Sequence, residues 1–340
     1  MQPLFVELLQ VSLGSRTELS RIPSEKEWNM LFVEAQRQAV IGVLTRGIGR
    51  LPKYSYPSQK TLFHWIGVAQ MMEDTYELHC KRIQELMRLI TGVCNGSCVL
   101  KGIGIAEYYP IPSCRQEGDI DLWVDVDRKD VVLWLKDKYT ITHSSWHNLG
   151  VHFFDDISVE LHFHPGWLYN PFYNKRLQKW FESEKNTQMK NFRASIGVAV
   201  PSNIFVAVYS MAHAFRHFVA EGIDLRHIVD YYYILRDLSD NDKKMAIDLL
   251  KRFGLLKYAR GVMWLLLKYC GSPSTDLLCE PDEKEGMFLY HEVCFGCNMW
   301  KKTYNGLIFR MLVLFTHYPN EIIWVIPWKI WHKCWRILNV

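Results

Sequence analysis

Arg115-Gln116-Glu117-Gly118-Asp119-Ile120-Asp121-Leu122, with Leu100-Lys101-Gly102 ahead of it, carries more structural information than any other run in this chain. Asp119 and Asp121 are two residues apart, so on a strand they project from the same face. Ile120 and Leu122 point the other way, as anchors in a core would. Two carboxylates set side by side repel each other unless a cation lies between them. The pair therefore predicts a site for Mg²⁺ (or Mn²⁺), which takes carboxylate oxygens together with substrate phosphates. The geometry suits phosphoryl transfer with two metals roughly 3.5–4 Å apart.

A third acid is expected from a neighbouring strand, and Val159-Glu160-Leu161-His162 offers it. Glu160 stands between two apolar residues that face away, and His162 and His164 alternate onto its side. Asp-x-Asp alone is common as a solvated strand end. Lys101-Gly102 upstream and Glu160 downstream turn the balance toward a metal site.

The surrounding texture predicts an α+β fold with a small mixed sheet between helical regions. Residues 1–95 read as helical. Ser24 and Glu27 have capping-box spacing, and a long helix is predicted from about Ser58 to Thr91, broken by Asn95-Gly96. Residues 96–200 form the sheet-bearing core: a strand at Cys98-Val99-Leu100, the acidic strand, a short helix from Asp127, and two strands joined at Asp155-Asp156. Residues 201–340 return to helix, from Pro201-Ser202 onward.

Composition narrows the function. The chain has 340 residues, 49% of them apolar, and 13 Trp, 17 Tyr and 17 Phe, enough for a large core. Net charge is +4, yet residues 301–340 carry six cations against Glu321 alone, a net +5 that leaves −1 for residues 1–300. That balance speaks against extended nucleic-acid binding. Nine cysteines, an odd number, and an N-terminus without a signal-peptide pattern predict a reducing, cytoplasmic setting. Cys294 and Cys297 have zinc-like spacing but no second close pair, so buried thiols are the expected reading.

The elements Val99-Leu100-Lys101-Gly102, Tyr109-Pro110, Arg115 and Gly118-Asp119-Ile120-Asp121-Leu122 together resemble a family of uncharacterised nucleotidyltransferases within the polymerase-β-like superfamily. Glu160-Leu161-His162 and the helical segment from His213 to Asp230 match its later elements, so the resemblance covers about residues 95–235. It implies a polymerase-β-like core in which Asp119, Asp121 and Glu160 are catalytic and hold metal. Where the wider superfamily has Gly-Gly or Gly-Ser, this chain has Lys101-Gly102. Gly102 would let backbone N–H groups approach phosphate at a helix N-terminus, and Lys101 and Arg115 would supply cations. For Arg115 the competing reading is an ion pair with Glu117 or Asp119. His213 and His217, four apart on one helix, and Arg226 and Asp230 on the next would add polar groups to the cleft, as would His162. Their plainer reading is helix-to-helix hydrogen bonding with a structural Arg226–Asp230 pair.

The resemblance implies transfer of a nucleoside monophosphate from an NTP to an acceptor hydroxyl, with release of pyrophosphate. A small molecule or saccharide fits the charge balance better than nucleic acid as acceptor. A protein acceptor (AMPylation) and a non-catalytic nucleotide- or partner-binding module are the alternatives; a phosphohydrolase would want more His ligands near the acids. After Pro327, Trp328, Trp331, Trp335 and Leu338 fall on one helical face and Lys329, Lys333 and Arg336 on another. Such a helix either docks on the core or makes peripheral membrane contact through residues 327–338.

Overall fold

The computed structural model describes residues 3–296 and 304–339. Four helices lead in: α1 (Pro3–Leu13), α2 (Glu25–Arg37), α3 (Ile41–Arg50) and the 32-residue α4 (Gln59–Ile90). Ser24 and Glu27 form the predicted capping box on α2, each side chain satisfying the other's backbone N–H. Ser58 caps α4 by accepting from the Thr61 N–H. Trp28 and Trp65 meet edge to face at 6.4 Å and lock α2 onto α4.

A five-stranded mixed sheet follows, built from β1 (Ser97–Val99), β2 (Ile120–Val124), β3 (Thr140–Ser144), β4 (Asn148–His152) and β5 (Val159–His162) in the order β1-β2-β5-β4-β3. Only the β2–β5 pair is parallel, and its register sets Asp121 opposite Glu160 and Trp123 opposite His162. The turn α5 (Ile103–Ala106) separates β1 from β2, and α6 (Arg128–Leu135) covers one face of the sheet beside α4. Ile120, Leu122, Val124, Leu149, Val151, Val159 and Leu161 form the core under α4 and α6. The opposite face meets the helices that come next.

α7 (Pro171–Lys190) lies inside the sheet-bearing core of residues 96–200, in a stretch to which the sequence reading assigns no element. Asn170 caps it by accepting from the Phe172 and Tyr173 N–H groups, with Pro171 in the first turn. The short hairpin β6 (Phe192–Arg193) and β7 (Val198–Ala199) leads to α8 (Asn203–Ala220), α9 (Leu225–Arg236), α10 (Asp240–Arg252), α11 (Leu256–Leu265) and α12 (Glu283–His291). α8 is apolar almost all round and runs through the middle of the larger core. The chain ends in α13 (Tyr304–His317), α14 (Pro319–Ile322) and α15 (Val325–Asn339).

The tail departs from the expected face assignment. Trp328 stacks on Trp167 with centroids 3.9 Å apart, and Arg128 lies over the Trp335 ring at 4.9 Å, so these two aromatics point inward. Trp331 and Leu338, grouped with them by sequence, are 48% and 81% exposed. Glu321 anchors the preceding turn by accepting from the Tyr169 and Asn170 backbone N–H groups. No helix among the described residues is long and apolar enough to cross a membrane. Cys294 is buried; Cys297, its partner in the zinc-like spacing, lies outside the described residues.

Candidate active site

Strand register assembles the site. Asp121 on β2 and Glu160 on β5 are paired across the parallel ladder and share a face, and His162 follows two residues later on that same face. Asp119 stands just ahead of β2. Asp121 is fully buried and holds two cations: Lys101 Nζ at 2.9 Å and His162 Nε2 at 2.8 Å. Lys101 also reaches Asp119 at 3.8 Å, and His162 reaches Glu160 at 3.2 Å. The acids expected to be together are together, with an ammonium and an imidazole threaded between them.

The titrations follow from that arrangement. Burial works against the charged form of Asp121, but Lys101 and His162 overcome it and hold the carboxyl well below its ordinary range. Burial also opposes a charged His162, yet the two carboxylates raise it to about 9, so it is an imidazolium at neutral pH. Lys101 is likewise raised by Asp121 and Asp119 against the cost of its burial. Asp119, by contrast, is pushed up by burial and then by the Asp121 charge.

Glu160 is positioned from the far side. The Asn148 side-chain amide donates to its Oε2 at 2.6 Å, and Ser145 in turn donates to Asn148. His143 Nε2 lies 3.3 Å from Glu160 Oε1. Gly150, opposite Glu160 in the β4–β5 register, makes that reach possible: a Cβ there would fall 2.1 Å from His143 Nδ1. Neither Asn148 nor His143 carries a signal in the sequence, because their roles exist only through cross-strand pairing.

The donor set fits a divalent cation. Single ligand atoms of Asp121, Glu160 and His162 lie within 4.8 Å of one another. The positions taken by the Lys101 and His162 charges are those where positive charge is required. His162, expected only as a cleft residue, is thus at the centre, and Asp119 stands at the rim.

A cleft of about 480 Å³ opens from these acids between the sheet and α8–α9. Lys101, Gly102, Arg115, Asp119, Asp121, His213, His217, Arg226 and Asp230 all line it, so the structure gathers every cleft residue named from sequence except Glu160 and His162, which lie behind it. Tyr209 and Ser210 are lining residues that the sequence did not single out. The hydroxyls of both, and Arg226 Nε, are buried without a protein partner among the described residues. Such buried donors are costly to leave unmet. Burial holds His213 well below its ordinary pKa and His217 at about 4, so both present neutral imidazoles. A second cleft of about 410 Å³ meets the site from the β3–β5 side and is lined by Asp119, His143, His152, Asp155, Asp156 and Glu160.

Two expected roles change. Arg115 is buried and bonded bidentately to Asp230, Nε to Oδ1 at 2.9 Å and Nη2 to Oδ2 at 3.0 Å, with Glu117 at 3.2 Å from Nη1. Tyr109 adds its hydroxyl to Asp230 at 2.6 Å. Asp230 therefore pairs with Arg115, not with Arg226, which instead donates to the Gln116 carbonyl at 3.0 Å. The network ties the loop before β2 to α9 at the wall of the cleft. Gly102 has φ +65°, a conformation that excludes most side chains. The helix it opens is a single four-residue turn, so the glycine serves the tight backbone rather than a sizeable helix dipole.

No curated protein matches the chain, and no solved structure does. The family model for "uncharacterised nucleotidyltransferase" matches residues 24–271, from the capping box of α2 through the sheet and both cleft helices, and the chain belongs to that family.

Proposed function

We propose that the protein transfers a nucleoside monophosphate from an NTP to an acceptor hydroxyl on a polymerase-β-like core, using Mg²⁺ or Mn²⁺ held by Asp119, Asp121 and Glu160. The observation that carries this reading is the register of β2 against β5, which sets Asp121 opposite Glu160 where two clefts meet. The larger cleft, with Lys101 and Arg226 in its wall, suits the triphosphate. The smaller, opening onto Glu160, suits the acceptor.

A bound divalent ion would neutralise phosphate charge and lower the pKa of the attacking hydroxyl. The chain's own groups do the rest. Asn148 and His143 aim Glu160 at the acceptor side, where its carboxylate takes the hydroxyl proton. The acceptor oxygen bonds to the α-phosphorus as the bond to the pyrophosphate oxygen breaks. Lys101, kept charged by the acids, and Arg226 stabilise the negative charge on the departing pyrophosphate. The acceptor side, lined by Asp119, Asp155, Asp156 and Glu160 with no Lys or Arg, favours a saccharide or small molecule over nucleic acid.

The test is pyrophosphate release and label transfer from each α-labelled NTP with Mg²⁺ or Mn²⁺, across a panel of hydroxylated acceptors, beside Asp119→Ala/Asp121→Ala. Activity with at least one NTP, abolished in the double variant, is expected. Absence of both NTP binding and pyrophosphate release with every NTP refutes the reading.

A further inference from the structure

The C-terminal helix α15 divides into three faces. Its inner face is fastened to the protein: Trp328 stacks on Trp167, and Trp335 lies beneath Arg128. Its outer face is apolar and uncovered. Ile326, Ile330 and Ile337 are 67%, 61% and 73% exposed, and they continue the line of Ile323 on the preceding turn at spacings of three, four and seven residues. Between the two, along one flank, run Lys329, Lys333 and Arg336, all exposed, with no carboxylate partner among the described residues. Residues 322–340 contain no Asp or Glu at all.

A helix docked through one face should turn polar residues outward; isoleucine there lowers solubility unless something covers it. We propose that this outer face is a docking surface for an anionic lipid bilayer, on which α15 lies flat. Its isoleucines would enter the headgroup–acyl boundary while Lys329, Lys333 and Arg336 meet lipid phosphates. Trp331, half exposed at the edge of the stripe beside Leu338, has the amphipathic ring that favours the headgroup level. Charge selects this occupant over a second copy of the chain. A twin α15 would bring no acid to meet the three cations, whereas an anionic surface neutralises all of them. The bilayer surface also differs from the face expected on sequence grounds, since the tryptophans are mostly spent on docking.

The test is sedimentation of the full chain with vesicles of phosphatidylcholine alone and of phosphatidylcholine with 30% phosphatidylglycerol. At about a factor of five per cation, three cations predict roughly 100-fold stronger partition onto the anionic vesicles, weakening as salt rises. Ile326→Ser/Ile330→Ser/Ile337→Ser should lose partition onto both vesicle types, and Lys329→Gln/Lys333→Gln/Arg336→Gln should abolish the preference for anionic ones. These side chains face outward, so near-ultraviolet circular dichroism of both variants should match the parent. Failure of the parent to bind anionic vesicles, equal binding to neutral and anionic vesicles, or self-association that the isoleucine variant abolishes without any vesicle binding would each overturn the proposal. None of these readouts depends on nucleotide chemistry.

Discussion

Replacing Lys101 with Met should destabilise the metal-free protein and, at the same time, enlarge its response to Mg²⁺. Lys101 Nζ sits 2.9 Å from Asp121, whose side chain has no solvent exposure, and 3.8 Å from Asp119. Removing one partner of a buried ion pair costs about 3–5 kcal/mol because the other charge is stranded. His162 keeps a second positive charge on Asp121, so the lower end, about 3 kcal/mol, applies. For a chain of this length that is roughly a 4 °C fall in melting temperature. A divalent cation entering between Asp119 and Asp121 supplies the missing charge. Saturating Mg²⁺ should therefore raise the melting temperature of Lys101→Met by several degrees more than that of the parent, in differential scanning fluorimetry with and without EDTA. An unchanged melting temperature without metal, or equal Mg²⁺ shifts in both proteins, would refute Lys101 as the internal counter-ion.

Asn148→Ala removes the amide that holds Glu160 at 2.6 Å; loss of such an outer partner should cut kcat for nucleotidyl transfer about 10–100-fold, with the KM for NTP within twofold of the parent. Arg115→Ala leaves Asp230 and Glu117 as buried, uncompensated carboxylates, so chemical denaturation should register about 3–5 kcal/mol of lost stability. Arg115→Lys should recover little of that loss, since an ammonium cannot bridge both Asp230 oxygens. Glu321 is raised from 4.5 to about 7 by burial, against the two backbone N–H groups it accepts from. The folded state thus binds its proton more tightly than the unfolded chain, and that stabilisation is present at pH 4.5 and lost as pH rises through 7. Between those limits the advantage of Glu321→Gln over the parent should grow by up to about 3 kcal/mol in denaturation measured at both pH values; a constant difference would contradict the assignment.

What could be read ahead of the structure depended on how local the physics is. The α2 cap is settled by two side chains three residues apart, and the long α4 by a serine cap and a helical period, so both are visible in sequence. Asp119 and Asp121 share a face because strands alternate, which needs no knowledge of neighbours. Glu160 depends on which strand lies beside β2, which its own strand pattern indicates only together with the family resemblance. The same strand pairing carries His162 to Asp121, a consequence that alternation alone could not weigh. α7 is hard to read despite the start signal Asn170-Pro171, because Leu177, Trp180 and Phe181 make only a narrow stripe in a polar helix. β3 went unread for the opposite reason: as an exposed edge strand, Thr140-Ile141-Thr142-His143-Ser144 has no buried face to betray it. The Arg115–Asp230 pair spans 115 residues and leaves no trace in local pattern.

The charges at the site explain how three acids can sit together on one sheet face. Asp119, Asp121 and Glu160 contribute three negative charges, and Lys101 and His162 return two positive ones, a net of about −1 before any ion binds. The repulsion that argued for a cation from sequence is thus largely met by the protein itself. Two of the three carboxylates have close fixed neighbours, Asp121 from Lys101 and His162, Glu160 from Asn148, His143 and His162. Only Asp119, half exposed and held by the longest of these contacts, is free to turn toward an incoming phosphate-bound ion. The acid that strand alternation identified first is therefore the one the fold holds least tightly, and it lines both clefts.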